Sequence, residues 1–202
     1  MERLKTVFLD RDGVLNRKMP EGHYVTRWEE FELLPGVVEA IRLLNNEKMR
    51  VVVVSNQRGV SLGLYTEDDV RSIHERLQQL IASGGARVDA FFFCPHNKNA
   101  CDCRKPLPGL FHQAQAQFPE IDAATSVMFG DSKSDMEFGR GLGMVNIFVD
   151  GDPERQKPGV EAARELADIR ATSLLDGINR LLVWKRGHGT HASSMCLGFP
   201  AP

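Results

Sequence analysis

Apolar stretches rich in β-branched and aromatic residues alternate along the chain with segments of helical periodicity. Short runs of this kind, separated by amphipathic helices, are typical of βαβ units and predict an α/β fold with an open parallel sheet. The five predicted strands are Thr6–Leu9, Val51–Val54, Val88–Phe93, Ser126–Phe129 and Val145–Val149.

Six helices are predicted between and after these strands. The second follows Thr66-x-x-Asp69, which resembles a capping box. Apolar residues recur at helical spacing in the first three helices. These positions are Val37, Ile41 and Leu44; then Val70, Ile73, Leu77 and Leu80; then Leu110, Ala114 and Phe118 after Pro108-Gly109. A fourth helix is expected after Ser134, and two more near residues 159–167 and 173–183.

Size and charge narrow the possible functions. The 202 residues fit one domain, predicted over 1–184, and residues 185–202 are predicted to be a disordered tail without periodicity. A formal net charge of −2 argues against a sequence-independent nucleic-acid binder. No run approaches the ~20 apolar residues of a membrane span, and the first run is too short for a signal peptide. We therefore expect a cytoplasmic protein, a monomer without nucleic-acid or membrane partners.

Four of the predicted strands lead into polar side chains. Asp10-Arg11-Asp12-Gly13 follows the first, Ser55-Asn56-Gln57 the second, Arg104-Lys105-Pro106 the third by way of a loop, and Gly130-Asp131 the fourth. In an open parallel sheet, ligands bind outside the carboxyl ends of the strands. These four segments together predict one active site at that edge.

Asp10 and Asp12 have the spacing of a catalytic pair. Residues two apart on extended backbone place their side chains on the same face. Two adjacent carboxylates suit a nucleophile and a general acid/base, and aspartate can attack phosphorus to form an aspartyl-phosphate. Gly13 would allow a sharp turn after the pair. Taken alone, Asp-x-Asp-Gly fits a solvated turn equally well.

Asp131 and Asp135 form a second acidic group. Mg²⁺ prefers oxygen ligands, so Asp10 and Asp131 together would meet its demand, with substrate phosphate and water. Asp135 either orients Asp131 or a metal-bound water, or only stabilises a helix N-terminus. Ser55 and Lys105 would hold phosphate oxygens and neutralise their charge, although each could alone be a plain strand-end hydroxyl or surface cation.

A cysteine and histidine motif lies between the third strand and Lys105. Cys94, His96, Cys101 and Cys103 follow the pattern C-x-H-x4-C-x-C, and three of the four cysteines of the chain fall within it. Three thiolates and one imidazole fit a closed structural zinc site. The motif therefore predicts a zinc-binding loop that fixes the position of Lys105.

These motifs resemble the haloacid dehalogenase superfamily of Mg²⁺-dependent phosphatases, over residues 5 to about 150. Phe8 to Gly13, Ser55 to Gln57 and Cys101 to Pro106 are similar to the zinc-containing histidinol-phosphate and heptose-bisphosphate phosphatases. The resemblance implies a Rossmann-like, doubly wound parallel sheet without a large cap domain.

The resemblance also implies roles for individual residues. Asp10 would be the nucleophile and Asp12 the general acid/base. Mg²⁺ would be held by the carboxylates of Asp10 and Asp131 and the backbone carbonyl of Asp12. The residues predicted to bind substrate are Arg11, Tyr24, Asn56, Gln57, Arg58 and Arg104, with Ser55 and Lys105 on the phosphoryl group.

The substrate predicted first is a small phosphate ester, D-glycero-D-manno-heptose 1,7-bisphosphate, hydrolysed at C7. Pro106 to Gly109 and Gly22 to Val25 are more similar to the heptose-bisphosphate branch, and Arg11, Arg58 and Arg104 suit a second phosphate. Histidinol phosphate is the alternative, which acidic groups in the pocket would favour. A zinc-stabilised phosphate-binding module without catalysis would require a missing nucleophile or metal ligand, and none is missing.

Overall fold

The computed structural model describes residues 4–156 and 158–189. Its six strands are β1 (Thr6–Leu9), β2 (Arg50–Asn56), β3 (Ala90–Cys94), β4 (Ser126–Gly130), β5 (Val145–Val149) and β6 (Ile169–Ala171). Its six α-helices are α1 (Val37–Asn46), α2 (Glu67–Ser83), α3 (Gly109–Gln117), α4 (Lys133–Leu142), α5 (Val160–Glu165) and α6 (Leu174–Gly189).

All strand pairs are parallel, and the order across the sheet is β3-β2-β1-β4-β5-β6. This is the doubly wound, Rossmann-like order that was predicted. The strand order reverses between β1 and β4, where the chain leaves the β3-β2-β1 half and continues as β4-β5-β6. A crevice opens at such a point beyond the carboxyl ends of the strands. Asp10 follows β1 and Asp131 follows β4, so both residues lie at this crevice.

Side chains of the strands alternate between two apolar layers. Val7, Leu9 and Phe129 face the layer covered by α1, α2 and α6, and Phe8 and Met128 face the layer of α3, α4 and α5. Because helices cover both faces of the sheet, residues on both sides of each strand are buried, which explains why the strand sequences are continuous apolar runs. Within the described residues every element belongs to this one sheet and its helices, in agreement with the prediction of no large cap domain.

The helix predictions need two corrections at single residues. Leu80 of α2 is 39% exposed, and the neighbouring Ile81 is the buried residue of that turn. Phe118 caps the C-terminus of α3 instead of lying within it. The capping box of α2 is confirmed, since the Thr66 side chain accepts a hydrogen bond from the Asp69 backbone N–H and Asp69 accepts one from Thr66.

The C-terminal part departs from the sequence prediction in two places. Strand β6 was not predicted, because it has only three residues and the central Arg170 is exposed. Helix α6 continues to Gly189 and so includes the first five residues, 185–189, of the predicted tail. The rest of the predicted tail, 190–202 with Cys196, lies outside the described residues. No described helix is long and apolar enough to cross a membrane.

Candidate active site

A cleft of about 920 Å³ opens at the carboxyl edge of the sheet. Asp10, Ser55 and Asp131 contribute to its lining from the ends of three adjacent strands, and Lys105 reaches it from the segment after the cysteine motif. The four polar segments predicted to meet at this edge therefore do so. Its volume is within the range of small-molecule sites.

Three carboxylates and one lysine form the floor of the cleft. Carboxylate oxygens of Asp10, Asp131 and Asp135 lie within 4.8 Å of one another. The buried Lys105 Nζ donates to Asp10 Oδ1 at 2.9 Å and to the Val54 carbonyl at 2.7 Å, and it lies 2.6 Å from Asp135 Oδ1. Asp135 thus belongs to the floor, and it also caps α4 by accepting from the Ser132 backbone N–H, as the helix N-terminal interpretation predicts. Its orientation of Asp131 stays a prediction.

The crowding of carboxylates changes the pKa of Asp10. Burial and the neighbouring Asp135 raise the pKa to about 7, against the opposing effect of the Lys105 ammonium. For Lys105, burial lowers the pKa, but Asp10 and Asp135 raise it more, and the net shift is upward. The lysine is therefore charged, but three ionised carboxylates carry two more negative charges than it balances, and Lys18, which pairs with Asp131, offsets one of them. A cation at this position is electrostatically favoured.

Lys18 and Gly13 are two further residues of the floor. The buried ammonium of Lys18 pairs with Asp131 Oδ2. No sequence pattern indicates this contact, because the two residues lie 113 positions apart. Gly13 adopts a φ of +97°, and a Cβ there would lie 2.1 Å from Asp131 Oδ2. The sharp turn predicted at Gly13 is confirmed, and the close approach of Asp131 is a second reason for glycine.

The carboxylate of Asp12 is held by donors from three side chains. Arg11 Nη2 contacts both of its oxygens at 3.0 Å, Asn16 Nδ2 donates to Oδ1 at 3.0 Å, and Gln57 Nε2 donates to Oδ2 at 3.0 Å. Burial raises the pKa of Asp12, but the Arg11 charge and these hydrogen bonds outweigh it and lower the pKa to about 2. In this arrangement Asp12 is ionised, and its low pKa makes it a weak base while these contacts hold. Asn16 was not predicted as a site residue.

Arg11 and Gln57 were predicted to bind substrate, and both are among the residues that line the cleft. Each is only 1% exposed. Arg11 Nη2 and Gln57 Nε2 donate to Asp12, and Arg11 Nη2 also donates to Gln57 Oε1. The two side chains therefore support the Asp12 carboxylate, and their predicted contact with substrate stays a prediction.

Ser55 and Asn56 follow β2 and contact neighbouring site residues. The buried Ser55 Oγ accepts a hydrogen bond from Gln57 Nε2 at 2.7 Å. The Asn56 side chain donates to the Lys105 carbonyl and accepts from the Lys105 N–H, both at 3.0 Å. Asn56 therefore fixes the backbone of the lysine, and its predicted contact with substrate stays a prediction.

The walls of the cleft carry more basic than acidic side chains. Tyr24, Arg58 and Arg104, predicted to bind substrate, all line it. Apart from the residues of the floor, Asp12 and its partner Arg11, the Lys, Arg, Asp and Glu side chains among its lining residues are five basic and two acidic ones. They are Arg58, Lys98, Arg104, Lys133 and Arg155, against Glu21 and Glu154.

The cysteine and histidine motif closes into a compact cluster beside Lys105. Cys94 Sγ lies 3.5 Å from Cys101 Sγ and 3.8 Å from His96 Nδ1, and Cys103 Sγ lies 3.3 Å from each of Cys101 Sγ and His96 Nδ1. A tetrahedral zinc with Zn–S bonds of ~2.3 Å sets such ligand separations near ~3.8 Å. Burial and the neighbouring thiols raise the pKa of Cys103, so a cation is needed to stabilise adjacent thiolates. The cluster fits a zinc ion.

Comparison with known proteins assigns the family. A family model described as polynucleotide kinase 3 phosphatase matches residues 5–152. A D-glycero-alpha-D-manno-heptose-1,7-bisphosphate 7-phosphatase of Mycobacterium tuberculosis is 45% identical over 132 residues, 65% of this chain and 69% of the relative. A D-glycero-beta-D-manno-heptose-1,7-bisphosphate 7-phosphatase of Vibrio cholerae is 35% identical over 189 residues, 89% of this chain and 97% of the relative.

A solved structure agrees with these relatives. The D,D-heptose 1,7-bisphosphate phosphatase from B. bronchiseptica, complexed with magnesium and phosphate, matches with a TM-score of 0.79 and 31% identity, over 89% of this chain and 99% of that one. The chain belongs to the polynucleotide kinase 3 phosphatase family, in the haloacid dehalogenase superfamily. It is a phosphatase of the heptose-bisphosphate phosphatase type.

Within this phosphatase, His74 of α2 is a buried imidazole next to the site. It is 5% exposed, stacks on Phe91 at 4.9 Å and meets Phe93 edge-on at 5.8 Å. Its Nε2 is buried and finds no hydrogen-bond partner among the described residues. Burial, reinforced by the Arg11 charge, lowers the pKa of His74 to about 3.

We expect His74 to make the fold sensitive to acid. The unfolded chain binds a proton at His74 below pH ~6.5 and the native state does not, so stability is full above that pH and is lost as pH falls from ~6.5 towards 3. The loss approaches about 1.4 kcal/mol per pH unit below ~6.5. Urea unfolding of wild type and His74→Leu at pH 7.5 and 5.5 measures it.

His74→Leu should lose less stability between the two pH values than wild type, while His112→Gln, at an exposed histidine, should behave as wild type does. Equal pH dependence in wild type and His74→Leu would show that His74 is protonated in the native state.

Proposed function

We propose that this phosphatase removes the C7 phosphate of D-glycero-D-manno-heptose 1,7-bisphosphate by a Mg²⁺-dependent, aspartyl-phosphate mechanism. The observation that carries the proposal is the distribution of charge in the cleft. A nucleophile lies at the floor, and basic side chains dominate the walls beyond it. That arrangement suits a substrate with one phosphate at the floor and a second anionic group at the wall.

Mg²⁺ fits the floor because it prefers carboxylate oxygens, and Asp10 and Asp131 with Asp135 behind them supply these within 4.8 Å of one another. The ion, when bound, would neutralise the phosphoryl oxygens and orient them towards Asp10. The same charge would favour the ionised, nucleophilic form of Asp10, whose pKa the neighbouring carboxylates raise. The Asp12 backbone carbonyl is proposed as a further ligand.

The chain's own residues divide the remaining chemistry. Asp10 attacks phosphorus and forms a covalent bond to it as the sugar oxygen leaves. Lys105 and Ser55 neutralise and hold the phosphoryl oxygens. Asp12 gives a proton to the departing oxygen, then takes one from the water that hydrolyses the aspartyl-phosphate. Because its present contacts keep Asp12 ionised, donation requires it to move away from the Arg11 guanidinium towards substrate.

Zinc is proposed at Cys94, His96, Cys101 and Cys103. All four protein ligands are present, so the site is closed and leaves no position for water or substrate. Its proposed role is to hold the loop that carries Arg104 at the cleft wall and Lys105 at the floor. The cytoplasmic, monomeric protein without nucleic-acid or membrane partners that the sequence predicts belongs to the same proposal.

The substrate proposal is tested by phosphate release from purified protein with and without Mg²⁺. The substrates are both anomers of the heptose bisphosphate, histidinol phosphate and a 3′-phosphorylated oligonucleotide. We expect one phosphate released per heptose bisphosphate, and kcat/KM at least about 10-fold above that of the other esters, the worth of one charge-assisted contact. Both anomers are included because the M. tuberculosis and V. cholerae relatives are named for different ones.

Arg104→Met provides the matched variant for this screen. It should lower kcat/KM for the bisphosphate and leave that for histidinol phosphate nearly unchanged, because only the former has a second phosphate. Preference of the wild type for histidinol phosphate would favour the alternative substrate and overturn the proposal.

A further inference from the structure

Tyr65 has no assigned role in the reaction, yet its side chain contacts Gln57, one of the residues that donate hydrogen bonds to Asp12. It follows the loop after β2, is buried, and donates its hydroxyl hydrogen to Gln57 Oε1 at 2.8 Å. Its ring packs so closely on Gly59 that a Cβ there would lie 2.1 Å from Tyr65 Cε1. Burial raises the pKa of Tyr65 to about 12, so the hydroxyl remains a donor at neutral pH.

The orientation of the Gln57 amide follows from its four neighbours. Its Oε1 accepts from Tyr65 Oη and from Arg11 Nη2, the latter at 3.3 Å, and a guanidinium can only donate. Its Nε2 donates to Asp12 Oδ2 at 3.0 Å and to Ser55 Oγ at 2.7 Å, and an ionised carboxylate can only accept. If the amide were flipped, its NH₂ group would face the donors Tyr65 and Arg11, and its oxygen would face the acceptor oxygens of Asp12 and Ser55.

Tyr65 makes the shorter of the two contacts that hold Gln57 Oε1. Without its hydroxyl, Gln57 Oε1 would keep only the long contact from Arg11, and Arg11 is already engaged by Asp12. The amide could then rotate, which would loosen its bonds to both Asp12 and Ser55. The ring of Tyr24, which lines the cleft, lies 6.1 Å from the Tyr65 ring, so the hydroxyl is also linked to a wall that substrate reaches.

We propose that Tyr65 is a positioning residue for the Asp12 carboxylate, and that it acts through the side-chain amide of Gln57. The inference rests on the proposed role of Asp12 as general acid/base. It adds a hydrogen-bonded chain, Tyr65 to Gln57 to Asp12, that connects the loop after β2 with the reacting carboxylate.

The test measures kcat and KM on p-nitrophenyl phosphate, which makes it independent of the sugar substrate. Tyr65→Phe keeps the ring and removes the hydroxyl. We expect kcat to fall about 5-fold, the rate equivalent of one ordinary hydrogen bond, with KM little changed. Ser61→Ala is the matched control, because it removes a hydroxyl of the same loop that donates to the Arg58 carbonyl at 2.8 Å and does not contact Gln57. It should keep wild-type kcat.

A double-mutant cycle tests whether the effect passes through Gln57. In the Gln57→Met background, Tyr65→Phe should cause almost no further loss of kcat, because the amide that it orients is gone. Additive losses, or a changed KM with unchanged kcat, would overturn the inference. Melting temperatures of all variants identify any loss of fold, and the cycle compares only folded proteins.

Asp12→Ala separates failure of the inference from failure of the proposed mechanism. An active Asp12→Ala protein would refute the role of Asp12 itself, and the inference with it. An inactive Asp12→Ala protein together with wild-type kcat in Tyr65→Phe would refute the positioning role alone.

Discussion

Asp10→Asn is expected to lower kcat by about 10⁴-fold or more, the scale seen when a covalent nucleophile is removed. The asparagine has nearly the same size, but its amide is a poor nucleophile and a weaker ligand for a cation. The fold should survive, because the substitution removes one charge from a cluster in which Asp135 and Asp131 already disfavour ionisation of Asp10. Steady-state kinetics and thermal unfolding of the purified variant measure both parts.

Asp68→Asn is the matched control for this substitution. Asp68 is an exposed residue of α2 whose carboxylate pairs with Arg71, and it is not among the residues that line the cleft. It makes the same chemical change at a surface position, and turnover should remain at the wild-type level. Near wild-type turnover in Asp10→Asn would exclude a covalent role for Asp10.

Cys103→Ser is expected to lower kcat on the order of 10²-fold, the cost of a misplacement of ~1 Å at a catalytic group. Cys103 is two residues from Lys105, so loss of the metal releases the segment that brings the ammonium to Asp10. Binding of Mg²⁺ at Asp10 and Asp131 should change little. Zinc content, Mg²⁺ affinity by calorimetry, melting temperature and kcat are to be measured on the same protein.

Cys196→Ser is the control for Cys103→Ser, since Cys196 is the one cysteine outside the motif. It should retain about one zinc per chain and full activity. The competing explanation is that the loop only stabilises the fold, which would lower the melting temperature and leave turnover at low temperature intact. A folded, zinc-free Cys103→Ser protein with wild-type kcat would contradict the positioning role of the loop.

The sequence predicted most of the sheet and the floor of the site, because both depend on local patterns. Continuous apolar runs mark strands buried on two faces, and parallel strands bring the residues at their carboxyl ends together. The sequence alone therefore predicted that one site contains Asp10, Ser55, Lys105 and Asp131. The spacing of the cysteine motif was likewise sufficient to predict a metal site, because all four proposed ligands lie within ten residues.

Two of the site residues that the sequence did not predict act through long-range contacts, whereas the third, Asn16, donates to Asp12 from four positions away. Lys18 pairs with Asp131, and Tyr65 donates to Gln57, which holds Asp12. Contacts between residues as far apart in the chain as Lys18 and Asp131, or Gln57 and Asp12, produce no periodic pattern in the sequence. Arg11 and Gln57 were predicted to bind substrate, and their hydrogen bonds to Asp12 are a further feature that the sequence did not predict. Strand β6 was missed because three residues with an exposed arginine are too short for alternation to be recognised.

Acid-quench mass spectrometry tests the central claim, covalent catalysis by Asp10, most directly. Asp12→Ala should slow hydrolysis of the aspartyl-phosphate, because the base that activates water is absent. The variant is quenched during turnover of p-nitrophenyl phosphate, because this ester has a good leaving group that needs little acid assistance. The peptide that contains Asp10 should then carry the mass of one phosphoryl group. The double variant with Asp10→Asn should carry none. A phosphoryl group on another peptide, or the same adduct in the double variant, would contradict the account.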